Sequence, residues 1–183
     1  MALTQLDAKA ALIVIDLQKG IVGMMAGNGA ESVVARSAEL ARAFRKRGWP
    51  VVLVNVTAAA PGRTDVGQRN LSLPVGWDEL VPELESQDGD VLISKQRRGA
   101  FLGTGLDEVL RGLGVTQVFL TGIATSVGVE STARSADDLG YNVVFVVDAM
   151  ADRDVEVHAF CLEKIFPKLG ETESTANVLK MVG

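Results

Sequence analysis

Apolar residues gather in five short runs along the chain: Ala11–Ile15, Val51–Val56, Val91–Ile93, Val118–Thr121 and Val143–Val147. Each is rich in β-branched residues and nearly continuous. None shows the polar–apolar alternation of a strand with one wet face. Strands buried on both faces read this way, and parallel sheets are built from them. Between the runs the period lengthens to that of a helix. Glu31 to Arg47 places Val34, Ala38, Ala41 and Phe44 three and four apart, and Gly48 stops it ahead of Trp49-Pro50. Leu106–Leu113, Val129–Leu139 closed by Gly140, and Asp154–Phe166 with Pro167 beyond it predict further helices. Strand and helix in alternation predict a doubly wound α/β architecture. No linker, repeat or low-complexity segment interrupts the pattern, so residues 1–183 are read as one domain. The longest irregular stretch is Ala58 to Pro74, and a loop of that length in a compact domain is more often functional than idle.

Composition narrows the picture. With 48% hydrophobic and 22% charged residues the chain is an ordinary globular one, neither disordered nor coiled coil. A net charge of −5 with no basic block argues against nucleic acid or an anionic membrane as partner. The single Cys excludes an intrachain disulfide and the single His excludes a multi-His metal centre. The first residues carry Asp7 and Lys9 and lack the apolar run of a signal peptide. The uncharged stretch Gly112–Val129 is too polar to span a bilayer. A cytoplasmic location is the resulting expectation.

In open parallel sheets ligands bind beyond the carboxyl ends of the strands. This singles out Asp16 after the first run, Asn55–Ala60 around the second and Ser94-Lys95 after the third. Gly122–Val127 follows the fourth run and Asp148 the fifth. A carboxylate in a poorly solvated crevice has its pKa raised toward neutrality and becomes a usable acid or base. Asp16 also admits a plainer reading, as a helix cap or a structural ion pair. An ammonium at Lys95 would hold that carboxylate ionised or stabilise an oxyanion; the plainer reading is a solvated surface lysine. Arg97 and Arg98 read as surface charges. Thr121 to Arg134 runs from strand through tight loop into helix, where unpaired N–H groups attract negative charge. Neither Gly27-Asn28-Gly29 nor Gly103-Thr104-Gly105 completes a dinucleotide fingerprint, and no phosphate loop is present. His158 has no obvious serine partner, which argues against a Ser–His–Asp triad. Cys161 reads as a small buried hydrophobe.

These blocks together resemble the isochorismatase-like hydrolase superfamily, which includes isochorismatases, nicotinamidases and N-carbamoylsarcosine amidohydrolases. The resemblance is carried by Asp16 with Leu17-Gln18, by Lys95 with Ala100-Phe101, and by Gly122-Ile123-Ala124-Thr125-Ser126-Val127 followed by Val129 to Arg134. Asp148-Ala149-Met150 also fits. The resemblance implies a three-layer fold, a six-stranded parallel sheet with helices on both faces. It implies a cis Ile123–Ala124 peptide and an oxyanion hole formed by the Ala124 and Gly128 amides. It implies a small-molecule substrate, association into homo-oligomers, and no metal or organic cofactor. Gln18 and Phe101 would join Ala124 at the substrate.

One position departs from the amidase pattern. Amidases of this superfamily carry their nucleophilic cysteine where this chain has Gly128, and glycine cannot form a thioester. Isochorismatases carry a small residue there. They also have a Pro-Gly loop with an arginine that grips a carboxylate; here Pro61-Gly62 is followed by Arg69, with Ala60 in place of the usual glutamine. Arg69 could equally be a loop surface arginine. The resemblance therefore implies non-covalent chemistry. Asp16 would protonate the vinyl carbon of an enol-pyruvyl ether, water would add to the oxocarbenium ion, and pyruvate would leave. Lys95 and the two amides would stabilise negative charge. Three rivals remain: an Asp16-activated water attacking an amide, ester or ring, with Gly128 making room for it; a non-catalytic ligand binder; and an amidase dependent on Cys161. Trp77 and Phe101 could line a lid or pack in the core.

Overall fold

The structure, a computed structural model, describes residues 3–65 and 73–183. Six strands form one sheet: β1 (Ala10–Ile15), β2 (Val51–Val56), β3 (Val91–Lys95), β4 (Gln117–Ile123), β5 (Asn142–Ala151) and β6 (Glu171–Glu173). Their order is β3-β2-β1-β4-β5-β6 and every pairing is parallel. The chain winds outward from β1 through β2 to β3, then crosses back to lay β4 on the other side of β1. A crevice opens where the winding reverses, at the carboxyl ends of β1 and β4.

The continuous apolar character of β1 has a direct cause. All six of its residues are buried, and they serve opposite faces in turn. Leu12 and Val14 join one apolar cluster, whereas Ala11, Ile13 and Ile15 join the other. On the first face lie α2 (Ala30–Lys46) and α6 (Thr175–Val182), which contribute Val34, Ala41, Phe44 and Val178. On the second lie α3 (Leu106–Gly112) and α4 (Glu130–Asp138), with Leu106, Leu110, Ala133 and Ala136. Two short helices, α1 (Lys19–Met24) and α5 (Val155–Phe160), flank the open end and bury none of their residues fully.

The helix expected over Asp154–Phe166 is shorter than its apolar spacing suggests. After α5 the backbone widens into a π turn at Cys161–Ile165 and tightens at Phe166–Lys168. Pro167 supplies no amide donor, so a regular ladder cannot run through it. The helix expected from Val129 likewise begins one residue later, because Thr125–Val129 forms a wide turn of its own. β5 runs on through Asp148 to Ala151, with a register shift against β4 between Leu120 and Gly122. Among the described residues no helix is long and apolar enough to cross a membrane.

Phe44 sits at the centre of the first layer, fully buried, with edge-on contacts to Trp49 at 5.5 Å and Phe119 at 5.2 Å. Phe44→Ala is expected to lower the unfolding free energy by about 3–5 kcal/mol, since the cavity left behind collapses only partly. Denaturant unfolding of the two proteins measures this.

Candidate active site

The crevice is built from strand ends. Asp16 follows β1 with φ of 54°, a left-handed backbone that few non-glycine residues adopt and that aspartate tolerates better than most. Its amide donates to the Val54 carbonyl at 2.9 Å, so the chain stays in the sheet up to the turn. Gly122 makes the approach possible: a Cβ there would lie 2.0 Å from the Ile15 carbonyl oxygen. Lys95 ends β3, two strands away, in register with Val56 of β2. Strand spacing puts β1 and β3 about 10 Å apart, a gap that the long lysine stem crosses. Its Nζ donates to Asp16 Oδ2 at 2.7 Å and to the Arg97 carbonyl at 3.3 Å.

Both charges are out of water, with Lys95 2% and Asp16 5% exposed. Asp16 Oδ1 is buried with no hydrogen-bond partner among the described residues. Burial pushes the Asp16 carboxyl up to about 6, against the attraction and hydrogen bond of Lys95, which pull it down. The desolvation of the carboxylate therefore outweighs its ion pair.

Above this pair lies a cavity of about 290 Å³. Ile21, Met24, Met25, Val56, Ala58 to Ala60, Trp77, Ile123 and Val127 give it an apolar body. Ala124 and Gly128 line the wall on the β4 side, and the Ile123–Ala124 peptide between β4 and the wide turn is cis. Gly128 leaves no open hole at the position of a side chain. A Cβ there would lie 2.8 Å from Ile15 Cγ2 and 3.1 Å from Asp16 Oδ2. A Cβ would fit at 128 only if one of these two neighbours shifted.

Three guanidinium groups line the mouth: Arg97, Arg98 and Arg153. Most other described arginines are spoken for. Arg36, Arg42, Arg45, Arg111 and Arg134 pair with carboxylates, and Arg47 takes the Val182 carbonyl and the Trp49 ring. At the mouth, Arg97 reaches only the adjacent Gln96 carbonyl, and Arg98 and Arg153 have no partner among the described residues. In a chain with more carboxylates than cations, this leaves unpaired positive charge at the rim.

The other expected site residues lie elsewhere. Gln18 is fully buried and spends its amide on the backbone. Its Nε2 donates to the Val56 and Trp77 carbonyls at 3.1 and 3.4 Å, and its Oε1 accepts from the Val56 amide at 2.7 Å. It braces two pocket walls without lining the pocket. Phe101 is buried beside the Tyr141 ring at 5.8 Å and also stays out of the lining. Arg69 lies outside the described residues. Asp148 ties down α6, accepting from the Thr175 amide and hydroxyl at 2.7 and 2.8 Å. Cys161 is buried on the second face and donates to Glu130 at 3.4 Å. Burial and the Glu130 charge push its thiol up to about 12, the reverse of what a nucleophile needs. Sequence reasoning missed the arginine rim and the α1 wall. Arg97 and Arg98 follow Lys95 directly and were findable from their place at a strand end; Ile21, Met24 and Met25 carry no such signal. Among the described residues no cluster of His, Cys, Asp or Glu is arranged to hold a metal.

The Isochorismatase domain family matches residues 10–177 of the chain. The chain belongs to the isochorismatase family. Family members resemble it over nearly their whole length. The Bacillus subtilis isochorismatase family protein YwoC is 41% identical over 181 residues, 95% of this chain and 94% of that protein. An isochorismatase family protein from Burkholderia thailandensis superposes with a TM-score of 0.92 at 43% identity, covering 97% of each chain. More distant relatives are named for amidohydrolase activities. A ureidoacrylate amidohydrolase, RutB of Variovorax paradoxus (strain S110), is 34% identical over 169 residues, 76% of this chain and 67% of its own. N-carbamoylsarcosine amidase from Thermoplasma acidophilum superposes at 0.78 with 26% identity, over 91% of this chain and 96% of that one.

Lys95→Met is expected to move the Asp16 midpoint upward from about 6, because the pull that lowers it is gone while burial remains. Carboxyl carbon NMR of the titrating side chain reads the shift directly.

Proposed function

We propose that this isochorismatase-family protein hydrolyses a small anionic substrate by non-covalent acid–base catalysis at Asp16 and Lys95. The reaction is that of an isochorismatase, in which a vinyl ether is cleaved and pyruvate released. The observation that carries the reading is the buried 2.7 Å Lys95–Asp16 pair on the floor of an apolar cavity, with the carboxyl raised to about 6. Asp16 Oδ2 is committed to the ammonium, so an acidic proton resides on Oδ1, which has no partner among the described residues. In the proposed step that proton passes to the vinyl carbon. Water adds to the oxocarbenium carbon, and the resulting hemiketal collapses to pyruvate and an alcohol. Lys95 remains charged and stabilises the carboxylate that forms. The Ala124 and Gly128 amides and the arginine rim orient the substrate's anionic groups. Glycine at 128 and the high, buried thiol of Cys161 both favour a route with no bond between substrate and sulfur.

The amidohydrolase names among the relatives favour a second reading, in which ionised Asp16 activates water to attack an amide. The two readings require opposite protonation states of one group. Vinyl ether hydrolysis needs Asp16 protonated, so kcat/KM on isochorismate is expected to be full below pH about 6 and to fall about tenfold per unit above it. A base mechanism on amides such as ureidoacrylate gives the mirror image, rising to a plateau above about 6. Pyruvate release and ammonia release, each followed across pH, decide between them.

Asp16→Asn is expected to lower kcat on isochorismate by about 10²–10⁴-fold, the usual worth of a positioned acid. Full retention of turnover by this variant overturns the assignment.

A further inference from the structure

The turn that follows the cis peptide is held from outside by one short segment of chain. Thr125 is fully buried, and its hydroxyl shares a hydrogen bond of 2.8 Å with Nδ1 of His158 on α5. The next residue, Ser126, gives both its amide and its hydroxyl to Asp152 Oδ2, at 2.8 and 2.7 Å. Asp152 precedes α5, and Asp154 caps it by accepting from the Glu156 and Val157 amides. Two consecutive residues between Ala124 and Gly128 are therefore anchored to the 152–158 segment by side chains rather than by the sheet. His158 is the only histidine of the chain, half-buried, and does not line the cavity.

We propose that His158 is a positioning residue for the 124–128 turn, acting through the Thr125 hydroxyl to fix Ala124 and Gly128 against the bound substrate. The proposal rests on the reading that this turn meets developing negative charge. A turn with wide, irregular hydrogen bonding is soft by itself, and loss of about 1 Å in such a wall is costly for rate while leaving binding intact. The Thr125 hydroxyl has no other partner among the described residues, so loss of the ring leaves a buried polar group unsatisfied at the start of the turn. Burial lowers the His158 pKa, with Asp152 the one carboxylate that pulls it back up. The ring is accordingly neutral near pH 7, and Nδ1 is free to accept the threonine proton.

Four variants of the full chain test this: Thr125→Val and Thr125→Ser at one end, His158→Phe and His158→Asn at the other. Asparagine places a polar atom close to the position of Nδ1, and serine keeps the hydroxyl. The first readout needs no substrate. Amide hydrogen exchange across residues 123–129 is expected to quicken about tenfold in Thr125→Val and His158→Phe, with the β1 and β2 amides unchanged. In Thr125→Ser and His158→Asn it is expected to stay near the parent rate. The second readout uses isochorismate. For Thr125→Val and His158→Phe, kcat is expected to fall about 10- to 100-fold with KM little changed, and the Thr125→Val/His158→Phe pair to lose no more than either single change. Unchanged exchange in His158→Phe, or kcat retained alongside a lowered melting temperature, overturns the positioning role. If the parent protein is inactive on isochorismate but the exchange pattern holds, the anchor stands and the substrate reading alone fails.

Discussion

A carboxylate and an ammonium share a dry site 2.7 Å apart, and the rest of the open end of the sheet follows from keeping them there. Their mutual attraction does not cover the loss of hydration, which is why Asp16 remains a weaker acid than a free aspartate despite its partner. The fold supplies the difference. Each charge sits at the end of a parallel strand with the backbone ladder complete behind it. The lysine comes from the edge strand β3, so that its stem runs over β2 before reaching Asp16. The backbone of Asp16 adopts a left-handed conformation that turns it out of β1 and toward the cavity. Strain and burial concentrated at one residue are more typical of a working site than of a structural ion pair.

Much of this arrangement was legible in the chain. Strands buried on both faces betray themselves as unbroken apolar runs, and β1, β2, β4 and β5 are of that kind. Asp16 and Lys95 could be found because each follows a short β-branched apolar run, although β3 proves to be an edge strand with Leu92 and Ser94 exposed. β6 gave no signal because Glu171, Thr172 and Glu173 are all polar and only half-buried at the sheet edge. α1 was hidden by two glycines and by the absence of any fully buried residue. Gln18 and Phe101 show the limit of carrying roles by resemblance. Both stand where the family motif puts them, yet Gln18 is consumed by backbone groups and Phe101 by the second core. The arginine rim is invisible to periodicity, since what distinguishes Arg98 and Arg153 is a shortage of partners in three dimensions.

The two sides of the pocket are built to different standards. The floor and the β4 wall are continuous with the sheet, where every residue of β4 is buried. The opposite wall comes from α1, from Ala58 to Ala60 and from Trp77, held outside the sheet by a few backbone hydrogen bonds, Gly20 N–H to the Trp77 carbonyl and Lys19 N–H to the Glu79 carbonyl among them. A pocket with one wall in the sheet and the other on loops is a division that lets one scaffold serve different substrates.

The methyl of Ile15 that occupies the space of a Cβ at Gly128 has a consequence for what that position can hold. Ile15 is β-branched, packed in the second core and unable to swing aside without disturbing β1. A side chain at 128 is therefore accommodated only if Ile15 or the Asp16 carboxylate gives way. The bare backbone at 128 is thus tied to a β-branched neighbour that does not line the cavity.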